Sequence, residues 1–154
     1  MTKTLLVVHH TPSPSTRELL EAVLSGARDP EIEGVDVIVR PALAAVLPDM
    51  LDADGYLFGT TANFGYMSGA LKHFFDLVYY PCLDATVGRP FGVVVHGNDD
   101  TVGALKALEV ITTGMRWHAV PAPVSVVGKP TKDDIDACWE LGASVSALLA
   151  EGLA

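Results

Sequence analysis

The chain has 154 residues, 49% of them hydrophobic and 19% charged, with a net charge of −9. That length suits one domain with a real core. The composition excludes disorder, and the acidity disfavours nucleic acid or an anionic membrane as a partner.

MTKTLLVVHH runs straight into a strand pattern, with no long apolar region and no small-residue cleavage site. The first strand is expected over Thr4–His9 (TLLVVH). Leu20, Val23, Leu24 and Ala27 then recur at i, i+3, i+4 and i+7, as a helix requires. A second strand follows over Val35–Val39; the next crossover, about Ala42 to Leu51, is bracketed by Pro41 and Pro48, which predicts a short helix. Gly55–Gly59 (GYLFG) reads as the third strand, and Met67, Ala70, Leu71, Phe74, Phe75 and Val78 form the next helical stripe. The uncharged run Gly55–Leu71 is too rich in Gly, Thr and Asn to cross a bilayer. Phe91–Val95 and Val124–Val127 complete five strands, with helices marked by Ala104, Leu108, Ile111 and Met115 and by Ile135, Trp139, Gly142, Val145 and Leu149.

The strands are continuous apolar runs, the pattern of strands covered on both faces. Alternation with helices predicts an α/β fold built on a five-stranded parallel sheet, in one domain over residues 1–154. Cys82 and Cys138 stand far apart in no metal-ligand spacing, which fits a reducing compartment, so a cytoplasmic protein is expected.

Ligands of such sheets bind beyond the carboxyl ends of the strands. The loop after the first strand, His10-Thr11-Pro12-Ser13-Pro14-Ser15-Thr16, places four hydroxyls just before a helix, where unpaired N–H groups and a partial positive charge suit a phosphate. Ser15 and Glu18 match the S-x-x-E capping box, which accounts for one hydroxyl. There is no Walker pattern and no GxGxxG. The loop after the third strand, Thr60-Thr61-Ala62-Asn63-Phe64-Gly65-Tyr66, joins small residues to two aromatics able to cover a planar ligand, or simply to anchor the loop on the core. The loop after the fourth, His96-Gly97-Asn98-Asp99-Asp100-Thr101, offers glycine and amide groups for a ring edge, or an ordinary capped turn. Three such loops on one sheet edge outweigh the plainer readings of each.

The stretch GTTANFGYMSGALKHFFD (59–76) resembles the corresponding segment of flavodoxin-like FMN proteins, notably the WrbA-type quinone reductases and NADPH-dependent FMN reductases. The resemblance rests on Gly59, Thr60, Phe64, Gly65, Met67–Gly69, Leu71, Lys72, Phe74 and Asp76, and HTPSPSTREL is similar to the flavodoxin phosphate loop. It covers essentially the whole chain. It implies a flavodoxin-like three-layer sandwich with strand order 2-1-3-4-5 and FMN as cofactor. Thr11, Ser13, Ser15 and Thr16 would hold the phosphate. The isoalloxazine would lie among Thr61, Ala62, Asn63, Phe64, Gly65 and Tyr66 on one side and His96, Gly97 and Asn98 on the other.

The sequence departs from the family at Pro14 and Ser15, which replace Gly-Asn of the phosphate loop. At Thr112-Thr113-Gly114-Met115, WrbA-type reductases have His-His-Gly-Met. The chain also lacks room for the insertions that build the reductase tetramer. The implied partners are NAD(P)H and a small acceptor such as a quinone, within a homo-oligomer. In the alternative of a flavodoxin-type one-electron carrier, the partner is a redox protein. A flavodoxin-like regulatory module without flavin is the third reading; its receiver-domain version needs acidic residues where His-His-Thr and Thr-Thr-Ala stand.

His9 and His10 are adjacent on a strand and should point to opposite faces, which disfavours a shared metal. Asp99 or Asp100, if near a flavin, would oppose its negative charge on reduction. Trp117 and Trp139 read as packing residues, and no G-x-S-x-G elbow is present.

Overall fold

The computed structural model describes residues 2–152. β1 (Lys3–His9), α1 (Pro14–Ala27), β2 (Val35–Pro41), α2 (Leu47–Asp52), β3 (Gly55–Asn63), β4 (Tyr66–Met67) and α3 (Gly69–Cys82) make the first half. β5 (Pro90–Gly97), α4 (Val102–Gly114), β6 (His118–Ala119), β7 (Val124–Val127) and α5 (Lys132–Ala150) complete it.

Strands run β2-β1-β3-β5, with β6 and β7 sharing the far side of β5, all parallel. The expected order 2-1-3-4-5 is therefore the core of the sheet, with β5 and β7 as the fourth and fifth strands. Side-chain alternation divides the core into two layers. Leu6 and Val8 of β1 face α2, α3 and α4 with Phe58, Val93 and Val95, whereas Leu5 and Val7 face α1 and α5 with Leu57 and Val94.

Seven strands stand where five were expected. β4 and β6 have two residues each, too few to leave a periodic mark. β3 does not stop at Gly59: Thr60 and Thr61 continue the ladder opposite Val95 and His96, and Ala62 and Asn63 turn back onto β4. Met67 consequently belongs to β4, and α3 starts after Ser68, whose hydroxyl accepts the Leu71 N–H at 3.1 Å. The short helix between the prolines is α2, six residues long.

Close approach of α1 to α5 depends on glycine. A Cβ on Gly142 would lie 2.0 Å from the Val23 carbonyl oxygen, and one on Gly26 would lie 1.9 Å from that of Trp139. Across the same contact the Ser146 hydroxyl donates to the Ala27 carbonyl at 2.8 Å. On the opposite layer Arg89 closes α2, donating to the carbonyls of Met50 (3.0 Å) and Ala53 (2.6 Å) and to the Tyr56 hydroxyl (3.0 Å). The Tyr56 hydroxyl donates to the Met50 carbonyl at 2.6 Å, and burial pushes its pKa up to about 12. Trp117 is buried as expected and stacks on Phe58 with ring centroids 5.4 Å apart. Cys82 and Cys138 are buried in different layers, so the sheet stands between them, and burial pushes both thiols up.

Candidate functional site

Registers bring the three loops together. His9 of β1 lies opposite Gly59 of β3, and Thr61 lies opposite His96 of β5. The carboxyl ends of three adjacent strands thus share one edge, as the sequence predicts.

The four hydroxyls of the first loop divide their duties. α1 begins at Pro14, whose missing N–H costs nothing at a first helical position. The cap is therefore Ser13, not Ser15. Ser13 Oγ accepts the Thr16 N–H at 3.2 Å, and Thr16 Oγ1 accepts the Ser13 N–H at 3.1 Å, a reciprocal capping box. The S-x-x-E pairing of Ser15 with Glu18 is not used for capping, because it lies two residues inside the helix. Thr11 Oγ1 pairs with Nδ1 of His9 at 3.1 Å. Ser15 stands half-buried in the first turn. The cap thus occupies two hydroxyls rather than one.

The second loop is a two-residue hairpin. Asn63 pairs with Tyr66 across Phe64 (φ 51°) and Gly65 (φ 73°), both left-handed, as the mirror-image turns of tight hairpins require. Among the described non-glycine residues Arg116 also has positive φ, just past the end of α4, where such a residue is ordinary. Phe64 is fully exposed and Tyr66 is exposed, so neither anchors the loop on the core. Below them Thr60 Oγ1 accepts the Ser68 N–H at 3.0 Å and fixes the hairpin base. Thr61 Oγ1 is buried, and among the described residues it is the one buried side-chain polar atom without a hydrogen-bond partner.

The third loop folds against the second. A Cβ on the buried Gly97 would lie 2.7 Å from the Asp100 carbonyl oxygen and 3.3 Å from Cβ of Ala62. Asn98, Asp99 and Asp100 are exposed, and Asp100 Oδ1 accepts the Val102 N–H at 2.8 Å, capping α4. The His96 ring is buried and its Nε2–H donates to the Gly128 carbonyl at 2.7 Å, which fixes the tautomer and ties β5 to the loop after β7.

At the first loop lies a small cleft, open to solvent, with His9, His10, Thr11, Thr16, Thr60 and His96 among its lining residues. His9 and His10 both line it. His10 lies just past the end of β1, where strict alternation no longer applies. Burial, and then the positive charges of Arg17 and His10, hold the His9 pKa below its ordinary 6.5. The described residues contain no group of three or more metal-ligating side chains.

Two site residues were not singled out from the sequence. Gly103, on α4, faces the hairpin: a Cβ there would lie 2.0 Å from the Gly65 carbonyl oxygen. Its sign in the sequence is a small residue in the first turn of the helix. Ser125, whose hydroxyl lies 2.5 Å from that of Thr101, carries no local signal, because the contact is long-range.

Hydroxyls at a helix start, an orphaned buried hydroxyl, a backbone cradle without Cβ atoms and an exposed aromatic suit a phosphate joined to a planar ring. The residues fit a flavin.

Comparison with known proteins bears on the same point. Residues 11–132 match the model of the family described as NADPH-dependent FMN reductase. A flavodoxin of Aquifex aeolicus is 36% identical over 72 residues, covering 47% of this chain and 38% of that protein. A protein named NAD(P)H dehydrogenase (quinone), from Syntrophus aciditrophicus, is 27% identical, with 93% of this chain and 83% of that one covered. Among solved structures, a flavodoxin from the domain Archaea superposes with a TM-score of 0.78 at 21% identity, covering 96% of this chain and 99% of that one. The flavodoxin WrbA-like protein of Agrobacterium tumefaciens gives 0.77 at 20% identity, with 99% of each chain covered. These superpositions show the flavodoxin-like fold. The match over most of its length, with the three converging loops, shows that this chain belongs to the NADPH-dependent FMN reductase family.

Proposed function

We propose that the protein is an FMN-dependent oxidoreductase, reduced by NADPH or NADH and reoxidised by a quinone or by free flavin. The observation that carries this reading is the meeting of three loops at one sheet edge, with the unpartnered Thr61 hydroxyl buried on β3 opposite His96. Family membership and the similarity to an NAD(P)H dehydrogenase (quinone) support the choice of donor and acceptor. In this reading Thr11, Ser13, Ser15 and Thr16 hold the phosphate. The backbone of residues 61–66 and of His96–Asn98 borders the ring, Thr61 Oγ1 gains a partner, and Phe64 covers the ring and keeps water off it. Bound FMN supplies the hydride chemistry, and the chain supplies binding, orientation and exclusion of water. FMN is preferred to FAD because one phosphate-type loop is present and no second nucleotide fingerprint occurs. The same reading carries a cytoplasmic location, where both nicotinamides are found.

The 36% identity to a flavodoxin favours a second reading, a one-electron carrier serving a redox partner protein. Anaerobic mixing of the FMN-loaded protein with NADPH, then NADH, distinguishes them. Bleaching of the flavin absorbance and its return on adding a quinone are expected. No reduction by either nicotinamide, with one-electron-reduced flavin accumulating on illumination, supports the carrier instead.

A further inference from the structure

The phosphate cleft contains a titratable group that the binding loop does not account for. His9 ends β1, half-buried, with its Nδ1 on the Thr11 hydroxyl at 3.1 Å. A hydroxyl has one proton to give. When Nδ1 is bare, Thr11 gives that proton to the ring and turns lone pairs towards the cleft, which repel a phosphate oxygen. When Nδ1 carries a proton, as in the Nδ1–H tautomer or the imidazolium, the ring donates to Thr11 Oγ1 and the hydroxyl proton is free to point at the anion; of the two forms a dianion favours the imidazolium, for its charge.

We infer that His9 is a positioning residue for the phosphate, and that proton uptake on its Nδ1 is coupled to anion binding by way of Thr11. The inference rests on the reading of the cleft as the phosphate site. Its surroundings favour the coupling. Arg17 on α1 and His10 are the charged or titratable groups that act on His9, and His96 lines the far wall with Nε2 held by the Gly128 carbonyl. No carboxylate lines the cleft among the described residues, so nothing there neutralises an imidazolium before an anion arrives. Burial, Arg17 and His10 keep the free ring largely unprotonated near neutral pH; a phosphate dianion beside it reverses that balance.

The sign follows by linkage. A His9 pKa that lies below 6.5 in the free protein and rises on binding means that one proton is taken up between the two values. Affinity therefore falls as pH rises through that window. The phosphate of FMN is itself mostly dianionic above about pH 6.5, so measurements between about pH 6.5 and 8.5 isolate the histidine. FMN and riboflavin dissociation constants are measured by flavin fluorescence across that range, with the His9 imidazole followed by NMR in the same samples. The expected result is FMN binding that weakens several-fold with rising pH, at most tenfold per unit for one proton, beside a flat riboflavin profile and a His9 pKa raised by FMN. His9→Asn places a non-titrating amide at the position of Nδ1. It should retain FMN binding and lose the pH slope, whereas His10→Gln should keep the slope. An FMN profile as flat as that of riboflavin, a His9 pKa unmoved by FMN, or a slope surviving in His9→Asn overturns the inference while leaving the flavin reading intact. Failure of the wild type to bind FMN or riboflavin overturns the flavin reading, and the inference with it.

Discussion

Replacing Ser13 by Asp separates the two duties of the first loop. Aspartate caps a helix as well as serine does, so its carboxylate can take over the Thr16 N–H that Ser13 Oγ accepts at 3.2 Å. The negative charge is also favoured at a helix start, so the flavin-free protein should lose no more than about 0.5 kcal/mol of stability. The same charge stands where the phosphate dianion is proposed to sit. For a unit charge and a dianion about 5 Å apart, repulsion is about 1.7 kcal/mol at the dielectric constant of water and about 7 kcal/mol at an effective value of about 20. Even the smaller figure weakens FMN roughly twentyfold. Riboflavin, which lacks the phosphate, should bind the variant as it binds the wild type. Fluorescence titration with both ligands and thermal unfolding of the flavin-free protein make the comparison. A melting temperature near wild type with FMN affinity within a few-fold of wild type would refute the reasoning and reduce the loop to a helix cap.

Three further outcomes follow from the geometry. Phe64→Asn creates Asn-Gly, the preferred pair for a turn whose two central residues are left-handed, and should stabilise the flavin-free protein by up to about 1 kcal/mol in denaturant titration. It should also weaken flavin binding about fivefold, because a covering aromatic is worth roughly 1 kcal/mol. Gly103→Ala drives a Cβ to 2.0 Å from the Gly65 carbonyl oxygen, so the hairpin must shift; flavin affinity should drop at least tenfold while far-UV circular dichroism stays unchanged. Tyr56→Phe removes the bond to the Met50 carbonyl and should cost about 1 kcal/mol at neutral pH. Because folding raises the Tyr56 pKa from 10.0 to about 12, its contribution is complete below pH 10 and is lost as pH rises towards 12. The wild type should therefore lose more stability across that interval than the variant does, by equilibrium unfolding at each pH.

The layered fold was legible because its signals are local and redundant. Leu5–Val8 reads as a doubly covered strand, and Leu71, Phe74, Phe75 and Val78 as a helix face, whatever the rest of the chain does. The convergence of the three loops of the candidate site was legible, because the ends of parallel strands must share an edge. Its internal wiring was less so. Both Ser13 and Ser15 can cap a helix, and only the position of Pro14 at the helix start decides between them. The extension of β3 to Asn63 depends on pairing with β5 and with two residues of β4, none of which leaves a periodic trace. The contacts of Gly103 with Gly65 and of Thr101 with Ser125 join distant segments, which a sequence pattern does not encode.

One phosphate loop and one ring site are proposed to make this an FMN protein. The most direct test is titration of flavin-free protein with FMN, FAD and riboflavin under identical conditions, followed by thermal unfolding with each. One FMN per chain is expected, bound more tightly than FAD or riboflavin, with a melting temperature that rises with FMN concentration as mass action requires. Equal or tighter binding of FAD, or no binding of any flavin by folded protein, would contradict the proposal.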